Sequence, residues 1–111
     1  MTVNELAKRL ALKPLAGVGG DQTEVVTCYA GDLLSWVMGR AKEGSAWLTV
    51  MGNINAIAVA TLADCACIIL TEGAPLDEDA RLRAEIQNVP VYSTDLNAYE
   101  MAIQIHALLK D

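Results

Sequence analysis

The stretch "VMGNINAIAVATLADCACIILTEG", residues 50–73, decides the fold. It is the most apolar run in the chain. Its length invites a membrane reading, since a span needs about 20 predominantly apolar residues. The run is interrupted, however, by Asn53, Asn55, Thr61 and Asp64. Gly52-Asn53 breaks a strand and offers a helix N-cap. Asp64 falls where a helix would end. Before Asp64, "INAIAVATLA" is Ala-rich and helical; after it, "CACIILT" is β-rich and short. The stretch therefore reads as a strand end, a helix and a second strand. The helix is apolar nearly all round, which predicts burial on more than one side.

The same alternation continues on both sides. Upstream, "EVVTCYA" (24–30) and "AWLTVM" (46–51) have strand composition, and "DLLSWVMGRA" between them reads as a helix with Asp32 as N-cap. Downstream, "DEDARLRAEIQN" (77–88) reads as an amphipathic helix with Leu82, Ile86 and Val89 inward. Asp77–Arg81 and Asp79–Arg83 would pair on its outer face. "VPVYST" is a strand, and "DLNAYEMAIQIHALLK" a last helix capped by Thr94 or Asp95. At the start, Thr2 and Glu5 form a capping box for a short helix, and Pro14 confines "LKPLAG" to a sheet edge or strand start. Strand–helix alternation with connections of this length implies parallel strands. The expected fold is a layered α/β single domain, residues 1–111, with a mainly parallel sheet flanked by helices.

Composition narrows the partners. Apolar residues make up 53% of the chain, but aromatics only 5%, and Phe is absent. The core must then be built from Ala, Val, Ile and Leu, and abundant Ala lets helices approach closely. Net charge is −6 with eight scattered Lys and Arg residues. Phosphate neutralisation needs clustered cations, so nucleic acid is excluded as a partner, and no membrane association is expected. Three cysteines imply no disulfide framework. The segment "MTVNELAKRLALKPLAG" has no basic region followed by an apolar one, so a cytoplasmic setting with reduced thiols is expected.

Ligands of open parallel sheets bind beyond the carboxyl ends of the strands. Those ends are Gly31-Asp32, Gly52-Asn53, Thr71-Glu72-Gly73 and Ser93-Thr94-Asp95. The candidate ligand-binding residues are Asp32, Asn53, Asn55, Thr71, Gly73, Ser93, Thr94 and Asp95. Helix N-termini there could hold an anion; plain capping calls for the same residue types, and both readings stand. "GVGGD" (17–21) reads as a loop with neither a dinucleotide fingerprint nor a P-loop lysine. Cys65-x-Cys67 would need two more ligands to hold zinc, and only Cys28 and His106 remain, so the cysteines read as packing residues. No metal, cofactor or catalytic residue is assigned. Convergence of Asp32, Asn53, Ser93 and His106 would be needed to suggest an enzyme. Trp47, on a strand, belongs to the core. Trp36 sits in "LLSWVM", a helix with more apolar positions than one face holds, and the last helix is equally wide. Trp36, Met101 and Ile105 are therefore the candidate self-association residues, with a core helix end as the other reading of Trp36.

The segments "YAGDLLSWVMGRAKEGSAWLTVMGNINAIAVATLADCACIILTEG", "PLDE" and "VPVYSTDLNAYEMA" together resemble DRTGG-domain proteins. Those are similar to the amino-terminal domain of HPr kinase/phosphorylase, and related modules occur in some phosphotransacetylases and CBS-containing inorganic pyrophosphatases. The best matching parts are Gly31-Asp32-Leu33-Leu34, the helix start from Asn53 to Ala60, Gly73, and Ser93-Thr94-Asp95. The naming motif departs: Asp21 and Thr23 are separated by Gln22, and no Gly-Gly pair follows. The resemblance implies an α/β fold, a regulatory or ligand-sensing accessory role, frequent dimerisation and no catalytic residues. The expectation is a non-catalytic, homodimeric regulatory domain that binds a small anionic or nucleotide-like ligand at the strand ends. The alternative is a protein-interaction module without a small ligand.

Overall fold

The computed structural model describes residues 1–17 and 22–110. The loop reading of "GVGGD" beyond Gly17, including Asp21, lies outside the described residues. Among the described residues five helices and five strands follow in the order α1 (Val3–Arg9), β1 (Lys13–Ala16), β2 (Thr27–Ala30), α2 (Leu34–Arg40), β3 (Ser45–Thr49), α3 (Ile54–Leu62), β4 (Cys67–Leu70), α4 (Glu78–Gln87), β5 (Val91–Ser93) and α5 (Ala98–Leu109). The sheet order is β1-β5-β4-β3-β2. β2 through β5 are parallel, and β1 is antiparallel on β5. Pro14 thus sits on an edge strand, where its missing N–H costs no ladder bond.

The order has a physical consequence. Each step from β2 to β5 moves one place in the same direction. With right-handed crossovers, α2, α3 and α4 must then all lie on one face. They do: Val37, Ala56, Ile57, Ala60, Ala80 and Ala84 form one buried cluster with Trp47, Ile68, Leu70 and Val91. The other face is covered by α1 and α5, whose Val3, Leu6, Met101 and Ile105 pack on Ala46, Leu48, Cys67 and Ile69. Alternate residues of β3 and β4 feed opposite clusters, as strand pleating requires. No helix among the described residues is long and apolar enough to cross a membrane. The 50–73 stretch is a strand exit, a nine-residue helix and a core strand.

Helix boundaries follow the side chains that reach the orphan N–H groups. Thr2 and Glu5 make the expected capping box on α1. Asn53 caps α3 by accepting from the Ala56 N–H at 2.9 Å. Asp32 does not cap α2: Leu33 occupies that position without a side-chain bond, because the Asp32 carboxylate turns to β3 instead. α5 is capped by Asn97, not by Thr94 or Asp95. Asn97 accepts from Glu100 N–H, and the Glu100 carboxylate accepts from Asn97 N–H.

α4 departs from expectation in its inward face. Leu82 and Ile86 are 51% and 76% exposed, whereas Ala80 and Ala84 are fully buried and only Val89, beyond the helix, points in as expected. α4 packs against α3, and the small i,i+4 pair lets the two axes close together. The observed ion pair on its outer face is Arg81 with Glu78, at 2.6 Å. Ala84→Leu is expected to overpack this contact and lower stability by about 1–3 kcal/mol. Urea unfolding would measure it, and a neutral result would show that α3 and α4 are loosely apposed.

Candidate functional site

Four parallel strands put four loop exits on one rim. The register aligns Ala30 with Leu48, Thr49 with Leu70, and Leu70 with Ser93. The rim therefore runs Asp32, then Gly52-Asn53, then Thr71 to Gly73, then Ser93 to Asp95. All eight candidate ligand residues lie on it or, for Asn55, in the first turn of α3 just inside it.

The rim is held by its own hydrogen bonds. Trp47, fully buried on β3, donates its indole N–H to the Gly31 carbonyl at 2.8 Å and fixes the β2 exit. Buried Thr49 donates its hydroxyl to Asp32 Oδ1 at 2.7 Å, and the Val50 N–H donates to the same oxygen at 3.0 Å. The next exits are latched to one another. The Glu72 N–H donates to Leu96 O and the Gly73 N–H to Thr94 O, both at 2.9 Å, while Asp77 N–H donates to Gly52 O at 2.8 Å. Gly73 has φ +66°, and a Cβ there would lie 3.4 Å from the Asp95 carboxylate. At Gly52 a Cβ would sit 1.9 Å from the Pro75 carbonyl oxygen, so only glycine allows this approach. Thr71 is buried, Ser93 and Thr94 are half-buried, and Asp32, Asn55, Gly73 and Asp95 are exposed.

Three helix N-termini of eight residues or more open at this rim, and they differ in charge. α4 begins with Asp77, Glu78 and Asp79, and α5 carries Glu100 in its first turn; α3 has no acid in its first turn. A bound anion is favoured only at the last of these. Lys13 also reaches the rim, because antiparallel β1 pairs it with Ser93. The sequence reading missed Lys13, since nothing local says that the first strand runs backwards onto β5. It also missed Thr49, although a polar residue ending a wholly buried strand was a visible signal.

His106 is not on the rim. It sits in the last turn of α5, beside β2, lining a groove of about 400 Å³ with Cys28, Ala30 and Lys110. The convergence of Asp32, Asn53, Ser93 and His106 that an enzyme reading requires does not occur. A larger cavity of about 740 Å³ opens at the opposite end of the sheet, between Glu24, Glu43, Thr61, Asp64, Cys65 and Gln87. No group of three or more His, Cys, Asp or Glu side chains among the described residues is placed to hold a metal ion.

The interface candidates separate. Trp36 is 55% exposed, with the Arg40 guanidinium stacked 3.7 Å from its ring centre. Met101 and Ile105 are fully buried against β3 and β4 within this chain, so they cannot face a partner. α5 exposes Tyr99 and Ile103 instead.

A family model for the DRTGG domain matches residues 34–108, more than half of the chain. The chain belongs to the DRTGG domain family. The match takes in every candidate ligand residue except Asp32. Comparison with curated proteins finds no match. Among solved structures, the fold is similar to the CBS and DRTGG domains of the regulatory region of Clostridium perfringens pyrophosphatase, complexed with its activator diadenosine tetraphosphate. The TM-score is 0.69 at 12% identity, covering 94% of this chain and 45% of that one. The present DRTGG chain thus spans less than half of the structure it resembles.

Two expectations follow. Asp32→Ala removes both carboxylate bonds to β3 and should lower stability by about 1 kcal/mol, read by urea unfolding, with Asp32→Asn retaining part of it. The thiols give a pH signature. Burial pushes Cys28 and Cys65 up to about 11 and Cys67 up to about 12. The folded state thus keeps its thiol protons after the unfolded chain has lost them. Their stabilising contribution is full below about pH 8.5 and falls as pH climbs toward 11. Urea midpoints between pH 8 and pH 10 should drop in the wild type and drop less in Cys67→Ala.

Proposed function

We propose that this chain is a non-catalytic regulatory domain that works as a homodimer and senses a small anionic or nucleotide-like ligand at the carboxyl rim of its sheet. The single observation that carries the reading is membership of the DRTGG family over the segment that builds the rim. The fold likeness to a pyrophosphatase regulatory region complexed with a dinucleotide activator supports it. The kinship to the amino-terminal domain of HPr kinase/phosphorylase is carried by the sequence segments alone. Thiol chemistry favours the non-catalytic side of the proposal: a nucleophilic cysteine needs a lowered pKa, and all three here are raised. Three cysteines without a disulfide also suit a cytoplasmic setting.

In this reading the anionic group meets the N-terminus of α3, beside Asn53 and Asn55, while Thr71, Gly73, Ser93, Thr94 and Asp95 border the rest of the ligand. Asp32, Glu72, Asp77 and Asp95 also line the rim, so the site attracts an anion locally and repels it at range. Raising ionic strength should therefore preserve or increase affinity, the reverse of a site built from Lys and Arg. Thermal shift with adenosine mono-, di- and triphosphate, diadenosine tetraphosphate and inorganic phosphate tests the reading. Ligand at about 100 times its Kd stabilises by about 2.7 kcal/mol, an upward shift of several degrees for a domain of this size. Asn55→Asp should abolish the shift. No shift with any of these compounds would end the ligand reading.

A second reading, a protein-interaction module without a small ligand, is favoured by α2. Leu33, the N-cap, and Trp36 and Met38 on this seven-residue helix are 59%, 55% and 39% exposed. A strictly monomeric protein that captures no partner through α2 would end it.

A further inference from the structure

The two edges of the sheet are built differently. β1 carries Lys13 and Pro14, residues that discourage a further strand from pairing. β2, "TCYA", carries neither, and among the described residues no strand pairs with its outer side. Its free groups can be assigned. The Gly31 N–H donates to Leu48 O on β3. Backbone groups alternate along a parallel strand, so Tyr29 and Thr27 also face β3. Cys28 and Ala30 therefore turn their N–H and C=O groups outward. Two outward residues spaced by two are self-complementary in an antiparallel pair.

The surroundings of this edge suit a second copy. On one side, α5 presents Tyr99, Ile103, His106 and Lys110, all exposed and spaced by four, three and four residues on one stripe. On the other side lie Leu33, Trp36 and Arg40, also exposed. None of these side chains is acidic, in a protein whose net charge is −6. The acids nearest the edge are Glu24, paired with the Met1 ammonium, and Asp32, which accepts from Thr49 and Val50, so repulsion between two such bodies is reduced here. A two-fold axis beside Tyr29 would also run the α5 stripes antiparallel. Ile103 would then meet the partner's His106, and the Tyr99 ring would meet the partner's Lys110, a cation over an aromatic face.

We infer that two copies of this chain pair through β2, with Cys28 and Ala30 of one protomer exchanging hydrogen bonds with Ala30 and Cys28 of the other. The inference rests on the homodimer proposed above and assigns its surface. The result is one continuous ten-stranded sheet with both carboxyl rims left open. The pairing is isologous and closed, so it yields a dimer and no larger species.

Light scattering and sedimentation equilibrium of the full chain test this. The wild type should be a dimer. Ala30→Pro deletes an outward N–H on an edge strand, leaves the β2–β3 ladder intact, and should raise the dimer dissociation constant at least about tenfold. Ile103→Lys, at a half-exposed position, should weaken pairing comparably by replacing an apolar contact of the seam with a charge that pairing would desolvate. Leu82→Lys with Ile86→Lys, on the exposed face of α4, should leave pairing unchanged. If Ala30→Pro loses its circular-dichroism signal, Ile103→Lys decides alone. A dimer that tolerates Ile103→Lys but dissociates on the α4 substitutions overturns this surface and keeps the homodimer. A wild type that stays monomeric overturns both, and leaves ligand sensing to its own thermal-shift test.

Discussion

The Trp47 side chain is the constraint on which the rest of the domain depends. In a core made mostly of Ala, Val, Ile and Leu it is the largest fully buried side chain among the described residues, on β3 in the interior of the sheet. Its loss would cost about 3–5 kcal/mol by volume alone. Its indole N–H also needs a partner in the dry interior, and it finds one in the Gly31 carbonyl. That bond reaches from the middle of β3 to the exit of β2. It sets where α2 can begin, and it places Asp32 within reach of Thr49. One buried donor thus fixes the first third of the rim, and the register of the parallel strands carries that placement across to β5.

The rim shows how capping and binding compete for the same atoms. Asn53 is engaged by Ala56, Asp32 by Thr49 and Val50, and the hydroxyl of Thr94 accepts from the Leu96 N–H. A ligand entering here works against groups already satisfied. What remains to bind it is backbone at the start of α3 and the exposed faces of Asn55, Gly73 and Asp95. A rim whose polar groups are already engaged would hold the proposed ligand with modest affinity. That suits a sensor whose output is a shift in population, since a ligand moves an equilibrium only by its differential affinity for two states.

The architecture was legible in the sequence because it depends on periodicity and on breakers. Gly52-Asn53 and Asp64 cut the apolar run in the right places, and the Thr2–Glu5 pair marked α1. Pro14 put the first segment on an edge. The rim residues followed from topology, because parallel strands must end together. What failed depended on competition between neighbours. Asp32 has the chemistry of an N-cap, but the buried Thr49 hydroxyl, 2.7 Å from its carboxylate, engages it instead of the helix. Asn97 outcompeted Thr94 and Asp95 only because Glu100 answers it across one turn. Lys13 could be placed on the rim only by knowing that β1 runs antiparallel.

The misplaced apolar residues share one cause. The apolar pattern puts Leu82 and Ile86 inward, and it makes Met101 and Ile105 self-association candidates because the last helix has more apolar positions than one face holds. In α3 and α4 the buried residues are instead mostly alanines, Ala56, Ala60, Ala80 and Ala84, joined by Ile57 and Val59, while Leu62, Leu82 and Ile86 stand in solvent. A sheet covered by closely approaching Ala faces gains contact through proximity rather than volume. The strands then supply the bulk: Trp47, Leu48, Ile68, Ile69 and Leu70 are all essentially inaccessible. Once the sheet fills the core, large residues on the helices are free to be used elsewhere. α5 is the exception that fits the rule. It lies over the face where β3 presents Ala46 and Leu48 and β4 presents Cys67 and Ile69, and Met101 and Ile105 supply volume beside the two small residues. Size on one layer is complementary to size on the other, and a hydrophobic pattern read from one segment at a time cannot contain that information.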